Sequence, residues 1–383
     1  MNRFPKKLLS LLDKRRSDNN FRTLSLPDKN LVDFSSNDYL GFSKNPELRV
    51  LKDPILKEYQ IEQQGSTGSR LITGNSPIHT DCEKQTAAFH NAEKALLFNS
   101  GYDANLGVLS SVPQRGDIVL YDELCHASII DGIRLSFAKP YKFRHNDTIH
   151  LQELLGKNKD AGNIYVVTES VFSMDGDCAL LKEISAICKT HQAYLIVDEA
   201  HAIGVYGKQG RGLCNELGIE RDCFARIYTF GKAMGAHGAI VACSNELYDY
   251  LLNFARSLIY TTALPASSAA LIMASYRLLQ STDRIKILQK NVIAFNHLTG
   301  SFTNKIQSTS AIHCFLIEGN EQVIHASKQL IAKGFDIRAI KSPTVKTGAE
   351  RLRICLHATN TKQELVALTE ILQLLTTQNN KGA

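Results

Sequence analysis

Tyr194-Leu195-Ile196-Val197-Asp198 runs directly into Glu199-Ala200-His201. An apolar run without alternation, ending in an acid, reads as a strand buried on both faces. Such strands belong to parallel sheets sandwiched between helices. Working outward, short apolar runs alternate with helical stretches. Helices are predicted over 81–91, 105–112 and 181–190, and strands over 95–99, 117–121, 163–169, 225–230 and 239–244. The alternation predicts an α/β fold with a mostly parallel sheet covered by helices. Beyond about residue 280 the pattern changes. Helices are expected over 283–299, 321–333 and 362–376, and strands over 311–317, 335–340 and 351–356, which reads as a smaller α+β domain. At the front, Phe4, Leu8, Leu9, Leu11 and Leu12 mark an amphipathic helix over 4–20, followed by an extended polar arm over 21–45. The expected division is therefore 1–44 for helix and arm, 45–280 for the major domain and 281–383 for the small domain.

Composition narrows the function classes. The 383 residues are 44% hydrophobic and 21% charged, which excludes general disorder. A net charge of +6 is too mild to imply a nucleic-acid partner. The most basic stretch, Lys14-Arg15-Arg16, is short and lies between Asp13 and Asp18. Nine cysteines, an odd number without a Cys-x-x-Cys pair, argue for buried thiols in a reducing compartment rather than disulfides or a metal site. The first residues show no signal-peptide pattern. Ser257 to Tyr276 is uncharged and of membrane-spanning length, but its hydroxyls and Pro265 predict a turn and then a buried helix with Pro265 in its first turn. The expectation is a cytoplasmic enzyme without a membrane anchor.

In a parallel sheet, functional groups collect beyond the carboxyl ends of the strands. The polar punctuation falls there: Ser100-Gly101-Tyr102, Asp122 to His126, Ser170 to Asp177, Asp198 to His201 and Thr229 to Lys232. Asp-Glu-Ala-His alone suggests a helicase-type ATPase, but no glycine-rich loop ending in Gly-Lys-Ser/Thr accompanies it, and Lys232 is followed by alanine. The segment Thr229-Phe-Gly-Lys232-Ala-Met-Gly sets a lysine among small residues just after a strand. A solvated turn lysine is one reading; an imine-forming lysine, which needs space and desolvation, is the other. A strand-end aspartate with such a lysine suits pyridoxal phosphate, which needs an amine and a carboxylate against its ring nitrogen. Gly101 and Tyr102 lie between a strand and a helix, where backbone amides and the helix dipole favour a phosphate. His126 suits either stacking on the ring or burial as a satisfied histidine. The glycine-rich stretches 65–75 and 204–212 lack dinucleotide spacing and read equally as turns.

Taken together, DFSSNDYLGFS at 33–43, GSTGSRLITGNSPIHTDCE at 65–83, LLFNSGYDANLGVL at 96–109, DELCHASIIDG at 122–132, LIVDEAHAIGVYGKQGRG at 195–212 and TFGKAMGAHGA at 229–239 resemble the α-oxoamine synthases. These are fold-type I pyridoxal phosphate enzymes that condense an amino acid with an acyl thioester and lose carbon dioxide. The resemblance runs from about residue 8 to 375 and implies the following roles. Lys232 is the Schiff-base lysine. Asp198 pairs with the ring nitrogen, and His201 and Ser173 lie around the ring hydroxyl. His126 stacks on the ring. Gly101, Tyr102 and Thr229 hold the phosphate or frame the cofactor. Arg22 and Thr344 contact substrate, and Arg353 grips the amino-acid carboxylate, a task suited to a bidentate guanidinium. His126 or His201 assists proton transfer. Family members are homodimers with the site at the interface, so Thr261 or Thr262 reaches the partner's phosphate. Gly-Ala-His-Gly after the lysine and Ile-Tyr-Thr-Thr-Ala-Leu-Pro at 259–265 imply the branch that joins L-alanine to a pimeloyl thioester, carried by coenzyme A or acyl carrier protein. Sister enzymes using glycine with acetyl-CoA, or serine with a long acyl chain, are the alternative. The hairpin usual before Asp33 is trimmed here to LSLPDKN.

Overall fold

The computed structural model describes residues 4–24 and 26–379. The chain forms two compact units. One comprises 37–173 and 178–288; the other comprises the chain up to Ser36, 174–177 and the chain from Gln289 onward.

The larger unit is built on a seven-stranded sheet. Its spatial order is Lys94–Phe98, Ala239–Cys243, Cys223–Thr229, Tyr194–Asp198, Ile164–Glu169, Ile118–Asp122 and Lys139–Phe143. Ala239–Cys243 runs antiparallel to both its neighbours, and the remaining pairings are parallel. Six carboxyl ends and one amino end therefore share an edge. The apolar runs have a direct cause. Leu195 and Val197 point into one apolar layer with Leu120, Val166 and Ile184. Ile196 points into the opposite layer with Val167, Ile227 and Val108. Both faces are dry, so no position of the strand is left for a polar side chain until Asp198 at the rim.

Leu181–Thr190 and Tyr194–Asp198 fall where expected. The helix expected at 105–112 starts earlier and spans Gly101–Ser111, because Ser100 caps it: Ser100 Oγ accepts from Asp103 N at 3.1 Å. The helix expected at 81–91 is Pro77–Phe89, entered through a proline in its first turn. Pro46–Glu58, Ala127–Leu135, Lys139–Phe143 and Thr148–Lys157 are elements the pattern did not announce. Lys139–Phe143 is an edge strand with only Phe143 fully buried, so it carries lysines and a proline. The uncharged run resolves into Arg256–Ile259, a turn, and Ala266–Ser281, with Pro265 just before that helix rather than within its first turn. None of the described helices is long and apolar enough to cross a membrane.

In the smaller unit, Arg338–Ile340, Arg351–Cys355 and Ile312–Leu316 form an antiparallel sheet in that order. The strand expected at 335–340 is split at Ile337. Phe335–Asp336 pairs instead with Val32–Asp33 of the N-terminal arm. Helices Asn320–Ala332 and Lys362–Asn379 complete the unit. The N-terminal helix is Lys6–Ser17, and none of its residues is buried.

A candidate cofactor site at the carboxyl edge of the sheet

A cavity of about 300 Å³ opens at the carboxyl edge of the large sheet. Gly101, Tyr102, His126, Asp198, His201, Thr229 and Lys232 all line it, as the strand-end reading predicts. Lys232 stands in the loop between Cys223–Thr229 and Ala239–Cys243. Phe230 N donates to Gly238 O at 2.9 Å, Ala236 N to Phe230 O at 2.8 Å, and Gly235 N to Lys232 O at 2.9 Å. Gly235 has φ +59°, and a Cβ there would lie 2.4 Å from Ser43 N, so this turn requires glycine. Lys232 Nζ lies 2.7 Å from His201 Nε2, and His201 Nδ1 lies 2.7 Å from Tyr39 Oη.

Asp198 is buried at the end of its strand. Its Oδ1 accepts from Ala200 N at 2.9 Å and its Oδ2 from Asn105 Nδ2 at 2.7 Å. Asn105 also donates to Ser128 Oγ at 3.0 Å, and Ser128 Oγ lies 2.7 Å from His126 Nδ1. The carboxylate and the His126 ring are thus fixed by one network. Loss of water between the cavity walls lowers the His126 pKa, and the Lys232 charge adds to this, while Asp198 opposes it. In the neighbouring strand Glu169 stands opposite Asp198 in register. Burial, and then the Asp198 charge, push the Glu169 carboxyl up to about 8; Lys232 and the amides of His126 and Ser173 pull the other way.

The cofactor can be tested against the shape of this site. The helix Gly101–Ser111 points its first turn at the cavity, where amides lack intrahelical acceptors. A Cβ on Gly101 would lie 2.4 Å from Thr229 Cγ2, so glycine lets the helix start come close to the strand end. Thr229 Oγ1 is buried without a hydrogen-bond partner. A phosphate fits that combination of helix start, close backbone and orphaned hydroxyl. Asp198 and Lys232 then supply the carboxylate and the amine, so the residues present fit pyridoxal phosphate.

Other predicted residues lie outside this lining. Ser173 is buried four residues beyond Glu169. Asn99 Nδ2 donates to Thr261 Oγ1 at 3.3 Å and Thr262 O at 2.8 Å, which ties both threonines to the segment preceding Gly101. Arg22, Thr344 and Arg353 belong to the smaller unit. There Arg22 Nη2 lies 3.5 Å from Thr344 Oγ1, and Arg353 is buried with Nη1 3.0 Å from Cys355 Sγ. The glycine-rich stretches contribute nothing to the cavity lining. Gly74 instead packs where a Cβ would lie 2.5 Å from Ala263 Cβ.

Sequence reasoning missed Asn37, Asn105, Ser128, Glu169 and His237 in the lining. Glu169 carried a readable signal, since it ends a buried strand just as Asp198 does. Asn105 falls one helical turn after Gly101, on the same face.

A parallel sheet, a rim lysine and a rim carboxylate beside an anion-binding helix start are the parts of a fold-type I pyridoxal phosphate enzyme. The chain belongs to the aminotransferase class I and II family, whose model matches residues 29–372, and within it to the α-oxoamine synthases. It is a pyridoxal phosphate-dependent acyltransferase. It is 42% identical over 371 residues to the 8-amino-7-oxononanoate synthase of Emericella nidulans, covering 91% of this chain and 90% of that one. Among solved structures it is similar to a serine palmitoyltransferase from S. paucimobilis with a bound PLP–myriocin aldimine, with TM-score 0.88, 26% identity and 97% coverage of each chain. The 8-amino-7-oxononanoate synthase from Francisella tularensis is also similar, with TM-score 0.78, 29% identity, and coverage of 93% of this chain and 99% of that one.

Proposed function

We propose that the protein condenses L-alanine with a pimeloyl thioester to give 8-amino-7-oxononanoate, carbon dioxide and free thiol, in biotin biosynthesis. The observation that carries this reading is the 42% identity, over nearly the whole chain, to a relative of that name. A serine-using synthase is favoured by the higher TM-score of 0.88, but at 26% identity that likeness speaks to fold more than to substrate.

Pyridoxal phosphate, when bound, supplies an aldehyde for an amine and a ring that accepts the electron pair left by bond cleavage beside the amino nitrogen. The protein's own residues do the rest. Lys232 Nζ would provide the amine that holds the cofactor and the base that accepts a proton from the amino acid's Cα. Asp198, held by Asn105 and Ala200, would be the carboxylate for the ring nitrogen. Gly101, Tyr102 and Thr229 would hold the phosphate. His126, His201 and Ser173 would hold the ring. Arg353 is assigned to the amino-acid carboxylate, and Arg22 and Thr344 to substrate contact, on their motifs alone. The same resemblance supports a cytoplasmic homodimer in which Thr261 or Thr262 meets the partner's phosphate. It also supports an acyl group delivered on coenzyme A or acyl carrier protein.

The test is mass spectrometry of the products formed from alanine, glycine or serine with pimeloyl, acetyl or palmitoyl thioesters. The expected result is a C9 amino ketone from alanine and the pimeloyl thioester, with stoichiometric carbon dioxide. Faster turnover of serine with the palmitoyl thioester would establish the second reading instead.

A further inference from the structure

Tyr39 lies in the Asn37-Asp38-Tyr39-Leu40-Gly41 turn and is fully buried. Its hydroxyl sits in a row of hydrogen bonds that ends in the cavity. Tyr39 Oη donates to Asn37 Oδ1 at 3.2 Å and lies 2.7 Å from His201 Nδ1, while His201 Nε2 lies 2.7 Å from Lys232 Nζ. A phenol has one proton to give, and a side-chain amide oxygen can only accept. With that proton committed to Asn37, Tyr39 Oη meets Nδ1 as an acceptor. Nδ1 then carries the ring N–H, and the Nε2 lone pair faces the lysine. The opposite tautomer sets an N–H against an ammonium, two donors with no acceptor between them.

We propose that Tyr39, backed by Asn37, is a positioning residue that fixes His201 as the Nδ1–H tautomer, so that Nε2 takes a proton from the Lys232 ammonium and frees the amine that captures pyridoxal phosphate. The proton moves from Nζ to Nε2, and the imidazolium so formed keeps Nδ1–H on Tyr39 Oη. The Nζ lone pair attacks the aldehyde carbon. The oxygen takes one proton from Nζ and a second from Nε2, and leaves as water when the carbon–nitrogen double bond forms. Glu169 and His126 are titratable groups that act on Lys232, Asp198 acts on both of them, and His237 lines the same cavity. Tyr39 is the group that meets His201 from the other side.

The inference rests on Lys232 as the capturing lysine, so the test carries that control. Full-length protein freed of cofactor is mixed with pyridoxal phosphate, and the growth of visible absorption is followed by stopped flow across pH. Tyr39→Phe keeps the buried ring and removes the hydroxyl. The variant is expected to capture the cofactor roughly tenfold more slowly at neutral pH, the cost of one strong hydrogen bond. The pH midpoint of capture should rise, with the final stoichiometry unchanged. Equal rates and equal midpoints would overturn the proposal. If Lys232→Ala still develops the absorption, the reading of Lys232 fails instead. Nitrogen-15 shifts of labelled histidine in the wild type, assigned with His201→Gln, decide the point even if Tyr39→Phe does not fold. An Nδ1–H pattern supports the proposal and an Nε2–H pattern overturns it.

Discussion

Replacing Glu169 by glutamine should remove a pH-dependent cost that the wild type carries for burying this carboxyl beside Asp198. In the folded protein Glu169 titrates at about 8 rather than at its ordinary 4.5. A raised folded pKa makes stability greatest below the unfolded value, and that stability is lost as pH rises through the window up to the folded value. Below about pH 4.5 both states hold the proton; between there and about pH 8 only the folded state does. The window spans about 3.5 pH units at about 1.36 kcal/mol each, so the loss has an upper bound of about 5 kcal/mol. Glutamine keeps the shape and never ionises. The variant should therefore gain on the wild type steadily from acid to about pH 8, and by nothing further above it. Urea unfolding of the cofactor-free full chain, fitted with a common slope at each pH, measures the difference. A difference that stays level within about 0.5 kcal/mol from pH 5 to 9 would refute the reasoning. Adding Asp198→Asn to both proteins should shrink the gain, because the like charge that helps raise the Glu169 pKa is gone. A functional consequence joins the two strand ends. On the proposed reading, the raised Glu169 pKa keeps a second charge away from the carboxylate assigned to the cofactor ring.

Asp198→Asn should retain cofactor yet lose turnover by roughly 10²–10³-fold, read as kcat against bound pyridoxal phosphate. Gly101→Ala forces a methyl against Thr229 Cγ2 and should cost about 1–3 kcal/mol of cofactor affinity, measured by fluorescence titration. Adding Thr229→Ser, which lacks that methyl but keeps the hydroxyl, should restore most of it. Glu83→Ala strands Arg70, whose guanidinium lies 3.0 Å from Glu83 in a largely buried pair, and also deprives Leu97 N of its acceptor. A loss of about 3–5 kcal/mol in unfolding free energy is expected. A loss below about 1 kcal/mol would mean that water reaches the pair.

What could be read in the chain, and what could not, follows from how far each signal reaches along it. Tyr194–Asp198 declared itself because both faces of its strand are dry from Leu195 to Val197, and that dryness is written in three consecutive residues. Asp198, His201, Thr229 and Lys232 in the cavity lining were legible for the same reason, since strand ends in a parallel sheet share an edge and each end is a local event. Lys139–Phe143 was not legible, because an edge strand has no dry face to betray it and tolerates lysine and proline. Pro46–Glu58 was hidden by Pro54 within its own pattern. The split at Ile337 depends on Val32–Asp33, three hundred residues away in the chain, taking one half of the expected strand. The same limit falls hardest on the chemistry. Lysine and aspartate were found by residue type at a strand end, but the state in which they work is set by neighbours that no local pattern connects. Glu169 meets Asp198 only through strand register. Tyr39 meets His201 only because the turn at Asn37 folds back onto a loop 162 residues later. A proton's position on an imidazole, and the charge on a buried carboxyl, are properties of those pairings. Motif reading can therefore nominate participants in the proposed reaction, while their protonation states have to be argued from distances.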